Sequence, residues 1–386
     1  MPFVLGGIQR HSRMLAEHLV RAGARVTLYH TAPAGELAER AKRLDGLDLQ
    51  GLRSVFVEFP RGFWFPGHYV LDCHRYSDRL LGRFREEHAR DAVDFVYAQG
   101  LTGLAFVRAR RGGASLPPVG VNAHGYEMFQ RCIGLKARLD QLPMRPPHRR
   151  VTRDADVVFS FSGKILQIVQ QTIGTPRERI RVLPNAVDGS WMASEPRRPG
   201  SPRRFLFVGR YERRKGVPEL CTALRGLSDC EWRMDFVGPI PEERQMRDSR
   251  VTYHGAIRDS AELLRIYDAC DCIVCPSYAE GMPTVLIEAM ARGMAAIATD
   301  VGAVSELVTP ESGLLLPDPA PTGIANAIRT VALMPAVGLH AMKAAGLKIA
   351  RTMTWERVAR QVISVAEETS LAREATQSRA LTGSSS

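Results

Sequence analysis

Short apolar strands alternate with helical segments along most of the chain, and this alternation limits its fold more than any other feature. In the first half, strands are predicted at 25–30, 94–98, 118–124 and 156–161. After a proline-rich segment the alternation restarts, with strands predicted at 204–209, 233–238, 251–255, 272–275 and 295–299. Strands that alternate with helices form parallel sheets covered by helices on both faces. The sequence therefore predicts an α/β protein built from two doubly wound domains that face each other across a cleft.

The length of the chain agrees with two domains. Its 386 residues exceed the roughly 100–200 residues of a typical single domain. We place the first domain at 1–190 and the second at 203–345, with the prolines of 194–202 as a linker between them. The small polar residues at 377–386 are predicted to form a disordered tail.

The chain is strongly basic, with a formal net charge of +11 and a composition of 45% apolar and 24% charged residues. That composition is typical of a soluble globular protein. The positive charge favours an acidic partner, which could be nucleic acid, an anionic membrane or a phosphorylated substrate. Charge alone does not choose among these, and a basic surface without a partner also fits.

The seven cysteines are scattered, and an odd number of them is typical of reduced thiols in the cytosol. Cys272 and Cys275 would point to opposite faces of the predicted strand at 272–275, so we expect no metal site there. No apolar run reaches the roughly 18 residues of a membrane-spanning helix. The predicted location is the cytoplasm, with peripheral contact to the inner face of the membrane left open.

The turn after the strand at 272–275 has the most informative chemistry. Glu280 precedes the turn, Gly281 and Pro283 shape it, and Glu288 lies one turn inside the following helix. A helix N-terminus suits a phosphate, and carboxylates suit the paired hydroxyls of a sugar or ribose. Glu288 could instead be an ordinary surface residue, but its neighbours are apolar, and a buried glutamate needs a partner or a ligand.

A second loop follows the strand at 204–209 and contains Gly209, Arg210 and Lys215. A guanidinium and an ammonium group at the end of a strand suit a diphosphate and would stabilise the charge on a departing phosphate. The alternative is a solvated basic loop. The Walker A pattern is absent from this loop, which argues against a P-loop ATPase.

Two further candidates come from the first half. Gly6 and Gly7 precede the first predicted helix and would let the backbone approach a ligand, although a flexible terminus fits equally. His124 ends a strand and could position substrate or transfer a proton, although a lone histidine is more often structural. The arginine-rich stretches at 108–111 and 145–153 could face a membrane or a phosphate, but each alone is better explained as a solvated surface.

Taken together, these stretches resemble the retaining glycosyltransferases of glycosyltransferase family 4. The similar stretches are 6–11, 184–188, 207–210 with 215–216, 251–255, 276–288 and 354–356. They extend over nearly the whole chain, and the paired glutamates are quite specific when they follow the Arg/Lys loop. The family usually has a first strand before the two glycines, whereas only five residues precede them here. That strand is therefore expected to be truncated or absent, and a start further upstream is left open.

The resemblance implies a GT-B fold and a retaining transfer of a hexose from a UDP- or GDP-sugar to a glycan or lipid-linked acceptor. It places that reaction in the biosynthesis of cell-surface polysaccharide, lipopolysaccharide or glycolipid. It implies that no metal ion or other cofactor is needed and that nucleic acid is not a partner. It also implies that a helix at 350–370 crosses back to the first domain.

The resemblance assigns roles to individual residues. Arg210 and Lys215 would hold the diphosphate, Glu280 the sugar hydroxyls and Glu288 the ribose. His124 would lie near the reacting centre. The remaining residues would line the sugar pocket or approach the phosphates, and these are Gly7, Gly209, Gly281, Met282, Pro283, Thr284 and Val285.

Two rival functions stay open. A sugar-nucleotide epimerase can share this two-domain fold, but it would need acids around the sugar and no separate acceptor. A sugar-nucleotide-binding protein without catalytic activity would keep the donor residues and lose turnover. The Arg/Lys loop together with the paired glutamates disfavours the epimerase.

Overall fold

A computed structural model describes residues 7–32, 35, 39, 48–60 and 67–383 of the chain. In the first half, helices and strands alternate as the sequence predicts. In chain order they are α1 (Gly7–Arg21), β1 (Val26–His30), β2 (Asp48–Leu49), β3 (Leu52–Phe56), α2 (His68–His88), β4 (Val96–Gln99), α3 (Leu104–Arg111), β5 (Val119–Asn122), α4 (Leu135–Gln141), α5 (Arg145–Asp154), β6 (Val157–Ser160), α6 (Gly163–Gln167) and β7 (Ile180–Val182).

The alternation continues through the second half. Its elements are β8 (Arg203–Val208), α7 (Val217–Arg225), β9 (Trp232–Val237), β10 (Val251–Gly255), α8 (Ser260–Ala269), β11 (Cys272–Cys275), α9 (Thr284–Ala291), β12 (Ala295–Thr299), β13 (Gly313–Leu316), α10 (Pro321–Leu333), α11 (Ala336–Ala350) and α12 (Trp355–Gly383).

The second half is built on one six-stranded parallel sheet in the order β10-β9-β8-β11-β12-β13. All residues of β11 and β12 are buried, as expected for central strands covered by helices on both faces. In this order β8 and β11 are neighbours, with Phe205 opposite Cys272. The loops that follow these two strands therefore leave the sheet side by side.

The described strands of the first half form two sheets. A four-stranded parallel sheet has the order β4-β5-β6-β7, and a smaller sheet has the order β1-β3-β2. Within the smaller sheet, β1 and β3 are parallel and β2 is antiparallel to β3. The carboxyl end of β5 leads directly to His124 and so carries that residue to the edge of the first half.

The long helix α12 lies against the first half. Its residues Trp355, Val358 and Val362 share a buried apolar cluster with Leu15 of α1 and Phe159 of β6. The hydroxyl of Ser370, further along α12, donates to the carbonyl oxygen of Asp94 at 3.0 Å. The last helix therefore connects the two halves of the chain.

The nine predicted strands are confirmed to within two residues at each end, because each is a short apolar run bounded by turn residues. The helix α12 continues to Gly383 and so includes residues 377–383 of the segment for which we predicted a disordered tail. Residues 384–386 lie outside the described part, and the tail stays a prediction there. The strands β2, β3, β7 and β13 were not predicted. In β7 and β13 the side chains of Val182 and Leu315 are exposed, and this weakened the apolar pattern of those two strands.

Within the described residues, no single helix is long and apolar enough to cross a membrane. In the described part of the chain, α10 and α11 have the necessary length and apolar composition only when taken together, and they are bent by 113° at their junction. Ile324, Ile328 and Leu339 of this pair are fully buried in the core of the second half.

Candidate functional site

The loop after β8 and the turn after β11 meet at the carboxyl edge of the second sheet. Gly216 closes the first loop with φ +69°, and a Cβ atom there would lie 1.9 Å from the carbonyl oxygen of Pro276. Only glycine fits such a close approach in the left-handed region. The backbone N–H of Tyr278 donates to the carbonyl oxygen of Arg214 at 2.7 Å. These contacts fix the two loops against each other.

Glu280 is buried at this junction and is surrounded by hydrogen-bond donors. Its Oε1 accepts from Lys215 Nζ at 2.6 Å and from the Ser277 hydroxyl at 2.7 Å, while Oε2 lies 3.3 Å from an Arg214 nitrogen. Burial favours the neutral acid, but Lys215 and Arg214 outweigh it and lower the pKa of Glu280 below its ordinary value. Glu280 is therefore an ionised carboxylate held in one orientation.

Of the two predicted cations, Lys215 contacts Glu280 and Arg210 does not. The side chain of Arg210 is 66% exposed and pairs with Glu212 at 2.8 Å. Arg214, which we did not predict, contacts Glu280 and also pairs with Glu212 at 2.9 Å. In the sequence, the only indication that Arg214 belongs to the site is its position next to Lys215. The pattern of the loop does not reveal which of its arginines turns inward.

Glu288 is buried inside α9, as its apolar neighbours predicted. Its Oε1 accepts from Arg10 at 2.6 Å, and its Oε2 accepts from the Tyr267 hydroxyl at 3.1 Å. Burial raises the pKa of Glu288 above its ordinary value, although Arg10 and Tyr267 both oppose that shift. Arg10 belongs to α1 in the first half, so this carboxylate joins the two halves of the chain.

Gly281 lies where the two halves touch. A Cβ atom on Gly281 would come within 3.0 Å of Gly125 Cα and 3.1 Å of the His124 carbonyl oxygen. The side-chain amide of Gln130 donates to the carbonyl oxygens of Gly125 at 2.5 Å and Glu280 at 2.6 Å. Gly302 backs the same turn, since a Cβ there would lie 2.2 Å from the Glu280 carbonyl oxygen. Small residues thus let backbone pack against backbone on both sides of the turn.

The rest of the turn leads into the start of α9. The Asn185 side chain donates to the carbonyl oxygen of Met282 at 2.5 Å, which fixes Met282 from the first half. Pro283 occupies the N-cap position, and the helix begins at Thr284 followed by Val285. The first N–H groups of a helix have no acceptor within it and carry a partial positive charge, so this end of α9 is suited to an anion.

His124 follows β5 with φ +57°, an uncommon backbone conformation for a residue other than glycine. Its Nε2 lies 2.5 Å from Gln99 Oε1, and its ring meets that of His11 edge-on at 4.7 Å. Burial lowers the pKa of His124 to about 4. The imidazole is therefore neutral near pH 7 and can either donate or accept a hydrogen bond at the edge of the first half.

Two predicted glycines remain. Gly7 is the first residue of α1, the helix from which Arg10 reaches Glu288, and Gly6 lies outside the described residues. Gly209 follows β8, and its carbonyl oxygen would lie 1.9 Å from a Cβ on Gly238.

The structure thus brings Lys215 to Glu280 and His124 to Gly281, and it leaves Arg210 at the surface of the loop.

Potential metal ligands and thiols are scattered among the described residues. Among the described residues no group of three or more His, Cys, Asp or Glu side chains is arranged to hold a metal ion. Cys272 and Cys275 are buried free thiols, and burial raises the pKa of Cys275 to about 11. The metal-independent chemistry that we expect stays a prediction.

A cavity of about 390 Å³ opens beside the turn, between the two halves. Gln130 and Lys164 line it from the first half, and Tyr278, Asp300 and Gly302 line it from the second. Lys164 Nζ pairs with the Asp300 carboxylate at 2.9 Å. The cavity lies on the Glu280 side of the site and does not include Thr284 or Glu288, so it adjoins the turn without covering the start of α9.

Comparison with known proteins agrees with this architecture. Residues 5–191 match the family model described as Glycosyltransferase Family 4, and residues 202–333 match Glycosyl transferases group 1. Glycogen synthase of Mycobacterium tuberculosis is 24% identical over 402 residues, covering 93% of this chain and 90% of that protein.

Solved structures are similar over the same extent. Sucrose-phosphate synthase of Thermosynechococcus elongatus superposes with a TM-score of 0.78 at 21% identity, covering 95% of this chain and 94% of the other. HepE of Anabaena, solved in complex with UDP and glucose, gives a TM-score of 0.66 at 17% identity, covering 95% and 96%.

The fold is therefore GT-B, two Rossmann-like domains facing each other across a cleft, as predicted. The chain belongs to glycosyltransferase family 4, within the group 1 glycosyl transferases, and the resemblance noted in its sequence is confirmed.

Proposed function

We propose that the chain transfers a hexose from a nucleotide sugar to a glycan or lipid-linked acceptor with retention of anomeric configuration. The observation that carries the proposal is the pair formed by Lys215 and Glu280 beside the N-terminus of α9. A cation, an anion-binding helix end and a buried ionised carboxylate stand side by side. A sugar diphosphate presents the complementary groups, which are two phosphates and a ring of hydroxyls.

In this proposal the residues of the second half bind and activate the donor. Glu280 accepts hydrogen bonds from sugar hydroxyls, and Met282 and Pro283 line the sugar pocket. The N–H groups of Thr284 and Val285, with Lys215 and Arg210, hold the diphosphate. As the bond to the sugar breaks, negative charge grows on the leaving phosphate, and these fixed positive groups stabilise it. This arrangement would make a metal ion unnecessary.

Retention follows in this proposal from a reaction on one face of the sugar. Both oxygens of Glu280 are already held by Lys215, Ser277 and Arg214, which leaves this carboxylate poorly placed to act as a nucleophile. The acceptor hydroxyl would approach from the side of the departing phosphate, and a phosphate oxygen would take its proton. The neutral ring of His124 would orient a hydroxyl near the reacting carbon.

The identity of the donor is proposed from chemistry and from one related structure. HepE binds UDP and glucose and shares the fold over nearly its whole length. We therefore propose a UDP-sugar, with a GDP-sugar as the alternative. Thermal unfolding of the chain with UDP-, GDP- and ADP-sugars tests this, because a ligand at 100 times its Kd stabilises the folded state by about 2.7 kcal/mol. No shift with any of the three would contradict the proposal.

A lipid-linked acceptor is supported by a surface of the first half, the leucine face, defined as Leu135, Leu139 and Leu142. These side chains are 73%, 56% and 43% exposed, and α4, which carries the first two, has no buried residue. The surrounding segment 131–153 contains seven basic residues and one acidic residue. Exposed apolar side chains within a basic surround suit an anionic bilayer. We propose that this face rests on the cytoplasmic side of a membrane.

A further inference from the structure

Three separate parts of the chain converge on the carboxylate of Glu288. Arg10, in the first turns of α1, reaches it across 278 positions of sequence with a nitrogen 2.6 Å from Oε1. The Arg10 guanidinium lies over the ring of Trp191, 5.1 Å from its centroid. Trp191 in turn packs edge-on against Tyr267 at 5.4 Å, and the Tyr267 hydroxyl donates to Oε2. The guanidinium is therefore positioned by an aromatic ring as well as by its ion pair.

The two members of this ion pair differ in burial. Glu288 is buried, whereas the side chain of Arg10 is 47% exposed, so the cation is the more solvent-accessible member of the pair. A buried carboxylate without a cation would be costly to keep ionised. In the described structure Arg10 is the cation that contacts Glu288. The ionised state of Glu288 thus depends on a residue from the other half of the chain.

The carboxylate also has acceptor capacity left over. Two carboxylate oxygens offer about four lone-pair sites. Arg10 takes one on Oε1, and Tyr267 takes one on Oε2. One site on each oxygen stays available, which matches the two neighbouring hydroxyls of a ribose.

We propose that Arg10 is a positioning residue of the donor site, which keeps the Glu288 carboxylate ionised and oriented to accept from both ribose hydroxyls. This inference rests on the proposed function, because it takes Glu288 as the ribose acceptor. Arg10 acts through Glu288, so its effect depends on the hydroxyls of the nucleotide. Donor binding in the second half thereby requires the first half to be in place.

The test compares a nucleoside diphosphate with its 2′-deoxy form. Calorimetry first identifies which of UDP, GDP and ADP the wild type binds most tightly, and that nucleotide and its 2′-deoxy counterpart are then the probes. We expect Arg10→Ala to weaken binding of the ribonucleotide at least tenfold and of the deoxynucleotide less than threefold. Arg10→Lys should recover part of the loss. Arg13→Ala is the matched control, since Arg13 lies on the same helix and pairs with Glu17.

A double-mutant cycle with Glu288→Gln separates this role from a general loss of folding. Glutamine needs no cation, so Arg10→Ala in that background should change ribonucleotide affinity less than twofold. Equal losses for both probes, or a full effect of Arg10→Ala in the glutamine background, would overturn the inference. Tighter binding by Arg10→Ala would also overturn it, because Arg10 would then compete with the ribose. If the wild type binds none of the three nucleotides, the donor site itself is wrong and this inference fails with it.

Discussion

Lys215 Nζ and Glu280 Oε1 lie 2.6 Å apart although they come from loops that follow different strands, β8 and β11. The parallel pairing of these strands brings the loops together, and glycine at 216 allows the close contact. The cation proposed to bind phosphate and the acid proposed to bind the sugar thus form one ion pair. The ion pair also lowers the pKa of Glu280 against the effect of burial.

The cations of this loop should determine the affinity for the diphosphate. We expect Lys215→Ala and Arg210→Ala each to reduce the rate of sugar transfer at least tenfold, which corresponds to about 1.4 kcal/mol of lost stabilisation of the transition state. Arg213→Ala is the control from the same loop, since Arg213 pairs with Glu219. Unchanged rates in both Lys215→Ala and Arg210→Ala would contradict the assigned phosphate site.

The first half should lose stability in mild acid because of His124. Burial lowers its folded-state pKa to about 4, below the ordinary 6.5, so the unfolded chain binds the extra proton as the pH falls. The contribution of His124 to the free energy of unfolding is therefore highest above pH 6.5 and falls as the pH approaches 4. Between pH 6.5 and 5 this histidine alone lowers the free energy of unfolding by about 1.5 kcal/mol. Denaturant titrations across this range should therefore show that the free energy of unfolding falls less with decreasing pH in His124→Asn than in the wild type.

The control for that experiment is His340→Asn, because His340 is exposed in α11. It should follow the wild-type pH dependence. His11 is also buried, and burial together with His124 lowers its pKa well below the ordinary value. Part of the acid sensitivity should therefore persist in His124→Asn; identical curves for wild type and His124→Asn would show that burial of His124 has no such effect.

A buried ion pair holds the second half together away from the site. Lys343 Nζ of α11 lies 3.1 Å from Asp271 Oδ1, and both side chains are almost fully buried. Lys343→Ala leaves that carboxylate without its cation, so we expect a loss of about 3 kcal/mol in the free energy of unfolding. Lys348 lies on the exposed side of the same helix. Lys348→Ala should therefore change the free energy of unfolding by less than about 0.5 kcal/mol. Equal effects of the two substitutions in urea titrations would refute this account of the pair.

The leucine face should attach the chain to anionic vesicles. Sedimentation with vesicles of phosphatidylcholine and phosphatidylglycerol should capture the wild type, and the triple change of Leu135, Leu139 and Leu142 to serine should abolish capture. Leu371→Ser removes an equally exposed leucine from α12 and serves as the control. Capture of the triple variant would contradict a membrane role for this surface, and equal binding to pure phosphatidylcholine would contradict its preference for anionic lipid.

Much of the second half could be predicted from sequence because its site residues follow strands directly. Glu280, Gly281 and Lys215 lie in short loops whose strand partners are evident from apolar runs. The contact of Arg10 with Glu288 spans 278 positions and depends on how the two halves pack, which no local pattern encodes. The choice of Arg214 over Arg210 to face Glu280 depends on the path of one loop turn.

The central claim is that this cleft binds and cleaves a nucleotide sugar, and the most direct measurement is release of nucleoside diphosphate from UDP-, GDP- and ADP-glucose. Wild type and Glu280→Ala are compared at equal concentration, with folding of both checked by circular dichroism. We predict that the wild type releases diphosphate from at least one donor and that Glu280→Ala loses at least 90% of this activity, a tenfold effect of about 1.4 kcal/mol. Equal release by both proteins, or none by the wild type, would contradict the claim.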